Sequence, residues 1–179
     1  MKLEIILYTI LIFFAVLTKV SGYFFYGIYI ILLFPLAFSD LKKLGLYEFR
    51  KGILWGFLSS IIYFPFILKE FSFTLLNQLP YVFSEEIFFR GFILQNLNER
   101  YSNVHLNNIF VSVLFTIPHV IIHPSLISVM VFFPSIIFGY LFIYTKSIYA
   151  PTIFHFFSNM FFQLYLTKSG LLKMFISFQ

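Results

Sequence analysis

The chain has 179 residues, of which 60% are hydrophobic and only 11% are charged. A soluble domain is about half apolar and about a quarter charged, so this composition excludes an ordinary soluble domain and indicates an integral membrane protein. The net charge of +5 does not indicate nucleic-acid binding, because the basic residues stand singly or in pairs, and the absence of cysteine excludes disulfides, thiolate nucleophiles and Cys-ligated zinc.

Seven apolar stretches follow one another along the chain, and each approaches the length of a membrane-spanning helix. They cover about residues 3–19, 22–38, 53–68, 73–97, 106–122, 126–144 and 149–166. We therefore predict an all-α fold, a polytopic transmembrane helical bundle of about seven spans in a single integral membrane domain, residues 1–179. The first stretch has an alternative interpretation as a signal peptide, because Lys2 precedes an apolar core and residues 20–22 resemble a cleavage site.

Two segments outside the stretches are expected at the membrane surface. Residues 39–52, "SDLKKLGLYEFRKG", form the one long charged segment, and their apolar positions predict a short interfacial helix before the third span. The final segment, residues 169–179, is too short to cross a bilayer and is expected to lie at the interface.

The distribution of basic residues between the loops predicts the orientation. An inner N-terminus gives an inner set of seven basic residues: Lys2, Lys42, Lys43, Arg50, Lys51, Arg100 and Lys146. The outer set then has four: Lys19, Lys69, Lys168 and Lys173. Because cytoplasmic loops carry an excess of Lys and Arg, we predict a multi-pass protein of a prokaryotic cytoplasmic membrane with its N-terminus inside.

The fourth stretch contains three charged residues, which are costly inside a bilayer and therefore mark candidate functional positions. Glu86 and Arg90 are four residues apart and share a helical face, so they are expected to form a structural ion pair. Glu85 is rotated by about 100° from Glu86 and is left as a spare carboxylate. A spare carboxylate in a low-dielectric environment is suited to act as a general base.

The fifth stretch contains two histidines in "FTIPHVIIH". A lone buried histidine in a soluble core is more often structural, whereas in a membrane span a functional role is more strongly indicated. His119 and His123 have i, i+4 spacing, which is also a metal-ligand spacing, although without an internal Glu it is weak evidence for zinc.

The seventh stretch contains His155 and Asn159, again four residues apart on one helical face. Both side chains can donate hydrogen bonds, as an oxyanion site requires. A polar contact that only holds helices together is the alternative interpretation. Together, Glu85, His119, His155 and Asn159 lie within three separate spans at compatible depths.

Three short segments resemble the motifs of a known family. Glu85–Arg90 ("EEIFFR") resembles the EExxxR motif of the CAAX prenyl endopeptidase and bacteriocin-processing family, the CPBP or ABI family of intramembrane proteases. "FTIPH", ending at His119, resembles its FxxxH motif, and "HFFSN", ending at Asn159, resembles its HxxxN motif. The motifs occur in the family's order, and the resemblance covers about residues 44–166. Residues 1–43, the first two spans and part of the basic inner loop, carry no motif.

The resemblance implies a hydrolase, a CAAX-protease-like intramembrane endopeptidase whose catalytic residues lie on spans 4, 5 and 7. Glu85 would polarise a water molecule that His119 helps to bind. The resulting nucleophile would attack the scissile carbonyl, while His155 and Asn159 stabilise the oxyanion.

In the same scheme Glu86 and Arg90 would be structural supports of the site. No cofactor is favoured, because two His, one Asn and one Glu fit the ligand preferences of zinc poorly. Zinc is the minority alternative, and its ligands would be Glu85, His119 and His155, with His123 less favoured.

Two other functional classes stay open from the sequence. A non-catalytic immunity or regulatory protein of the same fold would share every one of these features. A proton-coupled transporter also places ionisable residues at the membrane midplane. The expected partners are the lipid bilayer and a peptide, prenylated or membrane-protein substrate, with no nucleic acid; a homo-oligomer stays open.

Overall fold

The computed structural model describes residues 2–67 and 73–166, and within these ranges the chain is helical and has no β-strand. The all-α prediction is confirmed for these residues, and helical segments lie on all seven predicted apolar stretches. Three of the four outer lysines, Lys69, Lys168 and Lys173, and the predicted interfacial segment 169–179 lie outside the described residues.

The α-helices are α1 (Lys2–Leu17), α2 (Phe24–Leu33), α3 (Phe49–Ser60), α4 (Phe64–Ile67), α5 (Leu79–Glu86), α6 (Gln95–Arg100), α7 (Val104–Ile122), α8 (Leu126–Met130), α9 (Phe132–Thr145) and α10 (Tyr149–Phe161). Tighter 3₁₀ turns occupy Phe34–Ala37, Ile61–Tyr63 and Phe73–Gln78, and wider π-helical segments occupy Ile87–Leu94 and Phe162–Leu166. Helix α5, the first π-helical segment and α6 therefore follow one another without a break.

Helices α3 and α10 approach each other closely because α3 presents small residues at every fourth position. Gly52, Gly56 and Ser60 are the buried residues of α3. A Cβ atom at Gly52 would lie 2.0 Å from the Ser147 Oγ atom, and one at Gly56 would lie 2.8 Å from the Ile153 Cβ atom. Small residues that let helix backbones approach are typical of helix packing in membranes.

The loop between α2 and α3 differs from the sequence prediction. The predicted interfacial helix in residues 39–52 is wrong, because the chain forms turns until α3 begins at Phe49. Gly45 adopts a φ of 82°, a conformation that suits glycine, and its carbonyl accepts a hydrogen bond from the Ile148 N–H. Leu44 is buried against the π-helical segment at Gly91. The apolar positions of this loop therefore pack into the bundle.

In the part of the chain that the structure describes, two helical runs are long and apolar enough to cross a membrane, Val104–Ile122 and Leu126–Thr145. Many large apolar side chains point away from the bundle, among them Phe13, Ile30 and Phe133. Such a surface is expected where lipid is the solvent. Seven spans and an inner N-terminus stay predictions that the helix positions do not test.

Candidate active site

The acidic pair of the first motif lies where the helix changes its winding. Glu85 and Glu86 end α5, and the π-helical segment Ile87–Leu94 starts directly after them. All eight residues of that segment are buried, including Arg90. Short π-helical segments inside helices often occur at functional sites, because they change which side chains face a neighbouring helix.

Glu86 and Arg90 form the ion pair expected from their spacing. The Arg90 Nη1 atom donates to the Glu86 Oε1 atom at 3.2 Å, and the two side chains are 1% and 0% exposed. A second guanidinium nitrogen, Nη2, donates to both the carbonyl and the hydroxyl oxygen of Ser135, at 3.1 and 2.7 Å. The guanidinium also lies 4.4 Å from the ring centre of Phe115 and 5.2 Å from that of Phe138. Three hydrogen-bond acceptor atoms and two aromatic faces therefore surround this buried cation.

His155 lies between the two glutamates. Its Nδ1 atom is 2.8 Å from the Glu86 Oε1 atom, and its Nε2 atom is 3.8 Å from the Glu85 Oε2 atom. The imidazole stacks on Phe138 with ring centres 4.3 Å apart and an angle of 20° between the planes. A carboxylate accepts hydrogen bonds, so Nδ1–H donates to Glu86 and Nε2 is the atom that faces Glu85.

His119 approaches Glu85 from α7. Its Nδ1 atom lies 2.8 Å from the Phe115 carbonyl oxygen, which can only accept, so Nδ1 carries the proton. Its Nε2 atom lies 3.9 Å from the Glu85 Oε1 atom. Both imidazole contacts to Glu85 exceed hydrogen-bond distance, and separations of this size suit a bridging water molecule.

One cavity of about 560 Å³ brings together the four residues to which the sequence assigns catalysis. Its lining includes Glu85, His119, His155 and Asn159, together with the polar Gln78, Ser128 and Ser158 and the mainly apolar Tyr81, Val82, Ile127, Met130, Val131, Pro134, Phe138 and Phe162. Asn159 follows His155 by one turn of α10, so the same helical face carries both donors to the cavity. Among the lining residues that the structure describes, Glu85 is the one Asp, Glu, Lys or Arg.

A second, smaller cavity lies on the opposite side of Glu85 and His119. It has a volume of about 50 Å³ and is lined by the same two side chains and by Leu11, Ile28, Leu32, Phe89, Pro118 and Ile122. This volume has room for a water molecule. Glu85 and His119 thus separate a large cavity toward α8, α9 and α10 from a small one toward α1 and α2.

His123 does not join the other candidates. It follows the last residue of α7, its carbonyl accepts a hydrogen bond from the Ser128 hydroxyl, and its side chain lines neither cavity. Within residues 2–67 and 73–166 no group of three or more His, Cys, Asp or Glu side chains is arranged to hold a metal ion.

Sequence analysis missed the contribution of α9. Ser135 holds Arg90, and Phe138 supports both Arg90 and His155. A signal was present in "FFPSIIFGYLF", where Ser135 is a polar residue within an otherwise apolar stretch. A contact between two helices cannot be read from that signal alone, because it depends on how α9 packs against the π-helical segment.

Comparison with known proteins adds one match. A family model described as Type II CAAX prenyl endopeptidase Rce1-like matches residues 67–161, which is more than half of the chain. The matched residues include all three motif segments. No curated protein and no solved structure matches the chain.

Proposed function

The chain belongs to the Type II CAAX prenyl endopeptidase Rce1-like family, and from that premise we propose that it is a glutamate-dependent intramembrane endopeptidase. The family is a membrane-embedded protease family, so the substrate class is a peptide or protein. One observation carries the proposed mechanism: the Glu85 carboxylate faces the Nε2 atoms of both His119 and His155, at 3.9 and 3.8 Å, in a cavity that Asn159 also lines.

The nucleophile is a water molecule held between Glu85 and His119. The Glu85 carboxylate accepts one of its O–H groups, and the unprotonated Nε2 atom of His119 accepts the other. Both hydrogens are then held, so an oxygen lone pair is free to face the scissile carbonyl in the large cavity. Such positioning of a water by two acceptors is what general-base catalysis needs.

Attack is a balanced hydrolysis. As the water oxygen bonds to the carbonyl carbon, one water proton passes to Glu85 and the carbonyl oxygen becomes negative. Collapse of this intermediate breaks the C–N bond, and the leaving amine takes the proton back from Glu85. The products are a carboxylic acid and an amine, and the enzyme returns to its starting protonation state.

The oxyanion is stabilised from α10. The Asn159 side-chain amide donates one hydrogen bond, and a protonated His155 donates a second one from Nε2. Glu86 stabilises that charged imidazole through its contact with Nδ1, at 2.8 Å. Arg90 in turn holds the Glu86 carboxylate, so Glu86 and Arg90 support the site without touching the substrate.

The apolar walls of the large cavity serve the same reaction. Side chains such as Val82, Met130 and Phe138 reduce the access of bulk water, which strengthens the electrostatic interactions at the reacting atoms. The substrate enters as an uncharged or weakly polar segment, because Glu85 is the one carboxylate among the described lining residues and it holds the water.

A peptidase assay in detergent or proteoliposomes tests the proposed function. The substrates are a panel of prenylated C-terminal peptides, peptide precursors and single-span membrane proteins, and cleavage is read by mass spectrometry. Glu85→Gln keeps the size of the side chain and removes the base, so turnover should fall by about two to four orders of magnitude with little change in KM. Glu48→Gln, an exposed position ahead of α3, is the matched control and should cleave like wild type.

Two results would contradict the proposal. Unaltered cleavage by Glu85→Gln would show that Glu85 is not the general base. Binding of panel members by folded wild-type protein without any cleavage would favour the non-catalytic partner function over the enzyme.

A further inference from the structure

Helix α7, which carries His119, has backbone carbonyls that the helix itself does not satisfy, and two of them lie close to His119 in the chain. Pro118 has no N–H group, so the Leu114 carbonyl, four residues earlier, loses its normal helical hydrogen bond. The Ile122 carbonyl belongs to the last residue of α7 and is one of the terminal carbonyls that no later helical N–H reaches. Both carbonyls need a donor from elsewhere.

Helix α1 and the residues just after it supply both donors. The Tyr8 hydroxyl donates to the Leu114 carbonyl oxygen at 2.9 Å. The Lys19 ammonium, two residues beyond the end of α1, donates to the Ile122 carbonyl oxygen at 2.7 Å. His119 comes five residues after Leu114 and three before Ile122, so the two hydrogen bonds lie on either side of it along α7.

We propose that Tyr8 and Lys19 are positioning residues, which hold the proline-containing end of α7 so that His119 faces Glu85. This inference rests on the proposed role of His119 in water binding. Neither residue belongs to the matched family segment, residues 67–161. The inference therefore gives the N-terminal helix, which carries no motif, a defined task in the reaction.

The physical reason is the distance between His119 and Glu85. A water molecule bridges the 3.9 Å between the His119 Nε2 atom and the Glu85 Oε1 atom only while that separation is kept. A proline inside a helix removes one backbone bond and invites bending at that turn. Displacement of a catalytic group by about 1 Å can reduce the rate by about a hundredfold, so a modest movement of this turn is costly.

Packing alone is the competing explanation for these contacts. Leu7 and Leu11 of α1 are buried in the apolar core, so α1 also contributes to stability. The two explanations differ in one respect for Tyr8: its positioning role depends on the Leu114 carbonyl that Pro118 leaves without a helical donor, whereas a packing role does not.

A double-mutant cycle between Tyr8 and Pro118 distinguishes the positioning role from the packing role. In the otherwise wild-type chain Tyr8→Phe should reduce kcat by about tenfold while KM stays within about twofold. Pro118→Ala restores an N–H that can bond the Leu114 carbonyl, so in that background Tyr8→Phe should change kcat by less than about twofold. Tyr26→Phe, which removes a hydroxyl from an exposed position of α2, is the control and should leave kcat unchanged in both backgrounds. Equal losses from Tyr8→Phe in both backgrounds, or no loss in either, would overturn the positioning role of Tyr8.

Lys19 offers a second variant at an exposed position, where misfolding is not expected. Lys19→Met keeps the aliphatic length and removes the donor, so kcat should fall by about threefold or more with KM unchanged. Lys2→Met, at the other, exposed end of α1, is the matched control and should match wild type. A wild-type kcat in Lys19→Met would show that Lys19 does not position His119.

A readout without activity distinguishes failure of this inference from failure of the proposed function. In protein labelled with ¹⁵N-histidine, the His119 ring signals are assigned by their loss in His119→Gln. They should shift in Tyr8→Phe and stay in place in Tyr26→Phe. Shifted His119 signals in a protein that cleaves no substrate would support the contact between Tyr8 and α7 and refute the enzyme assignment. Unmoved His119 signals in a protein that cleaves substrate would refute the positioning role of Tyr8 and leave the proposed function intact.

Discussion

The Nδ1 atom of His155 lies 2.8 Å from the Oε1 atom of Glu86, which joins the second glutamate of one motif to the histidine of another. The same oxygen atom also accepts from Arg90 at 3.2 Å. Glu86 thus connects the buried cation to the imidazole that faces the cavity. The contact fixes which nitrogen of His155 faces Glu85. Glu86 therefore orients the imidazole in addition to pairing with Arg90.

Replacement of Glu86 by glutamine should therefore impair catalysis as well as packing. Glu86→Gln removes the negative charge that stabilises a protonated His155 in the transition state. We expect turnover to fall by about a hundredfold or more in protein that still folds, with a smaller change in KM. The measurement is steady-state kinetics on detergent-purified protein, with Glu48→Gln as the control. Wild-type turnover in folded Glu86→Gln would show that the contact with His155 does not serve the reaction.

Removal of the Asn159 side-chain amide should weaken oxyanion stabilisation. Asn159→Ala is expected to lower kcat by about two to three orders of magnitude with little effect on KM, because the lost hydrogen bond forms in the transition state. Asn96→Ala is the control, since Asn96 does not line the large cavity. An equal loss of kcat in both variants would mean that a general loss of structure explains the effect, and that the Asn159 amide is not a specific oxyanion donor.

Arg90 should act mainly on stability. Arg90→Ala leaves the buried Glu86 without its cation and removes a guanidinium that also binds Ser135, so the yield of folded protein in detergent should drop several-fold or more. Size-exclusion chromatography of fluorescent fusions measures this yield. Arg50→Ala, at an exposed position of α3, should give a wild-type yield. An Arg90→Ala protein that is as stable as wild type and yet inactive would assign Arg90 a direct chemical role.

Metal chelation should leave cleavage unchanged, because Glu85 and His119 are proposed to activate the water. Purified protein is treated with a chelator, its zinc content is measured by atomic spectrometry, and turnover is compared before and after treatment. A loss of turnover that added zinc alone restores would contradict the metal-free mechanism. In that case Glu85, His119 and His155 become the first candidates for ligands.

The orientation prediction is tested independently of chemistry. With seven spans and an inner N-terminus, a reporter fused after Gln179 that functions only in the cytoplasm should give no signal. A second fusion after Arg100, on the predicted inner side, should be active and serves as the positive control. A strong cytoplasmic signal from the fusion after Gln179 would refute either the span count or the orientation.

The sequence by itself determined the features that depend on short-range helical geometry. Residues four apart share a helical face, which is why Glu86 pairs with Arg90 and why His155 and Asn159 line the same cavity. The motif order identified the family, and the family match over residues 67–161 confirms that resemblance. The apolar stretches likewise predicted where the helices lie, because a chain with so little charge has to satisfy its backbone groups internally in lipid.

Only the tertiary structure decided how these faces meet. The contact of His155 with Glu86, the support of Arg90 by Ser135 and the bond from Tyr8 to Leu114 each join two helices that are distant in sequence. Their relative rotation and depth follow from side-chain packing and from the π-helical turn after Glu86, neither of which has a local sequence period. Residues 39–48 form turns where the sequence predicted an interfacial helix. That prediction was wrong because the burial of Leu44 against Gly91 is a tertiary contact, which the local sequence pattern does not show.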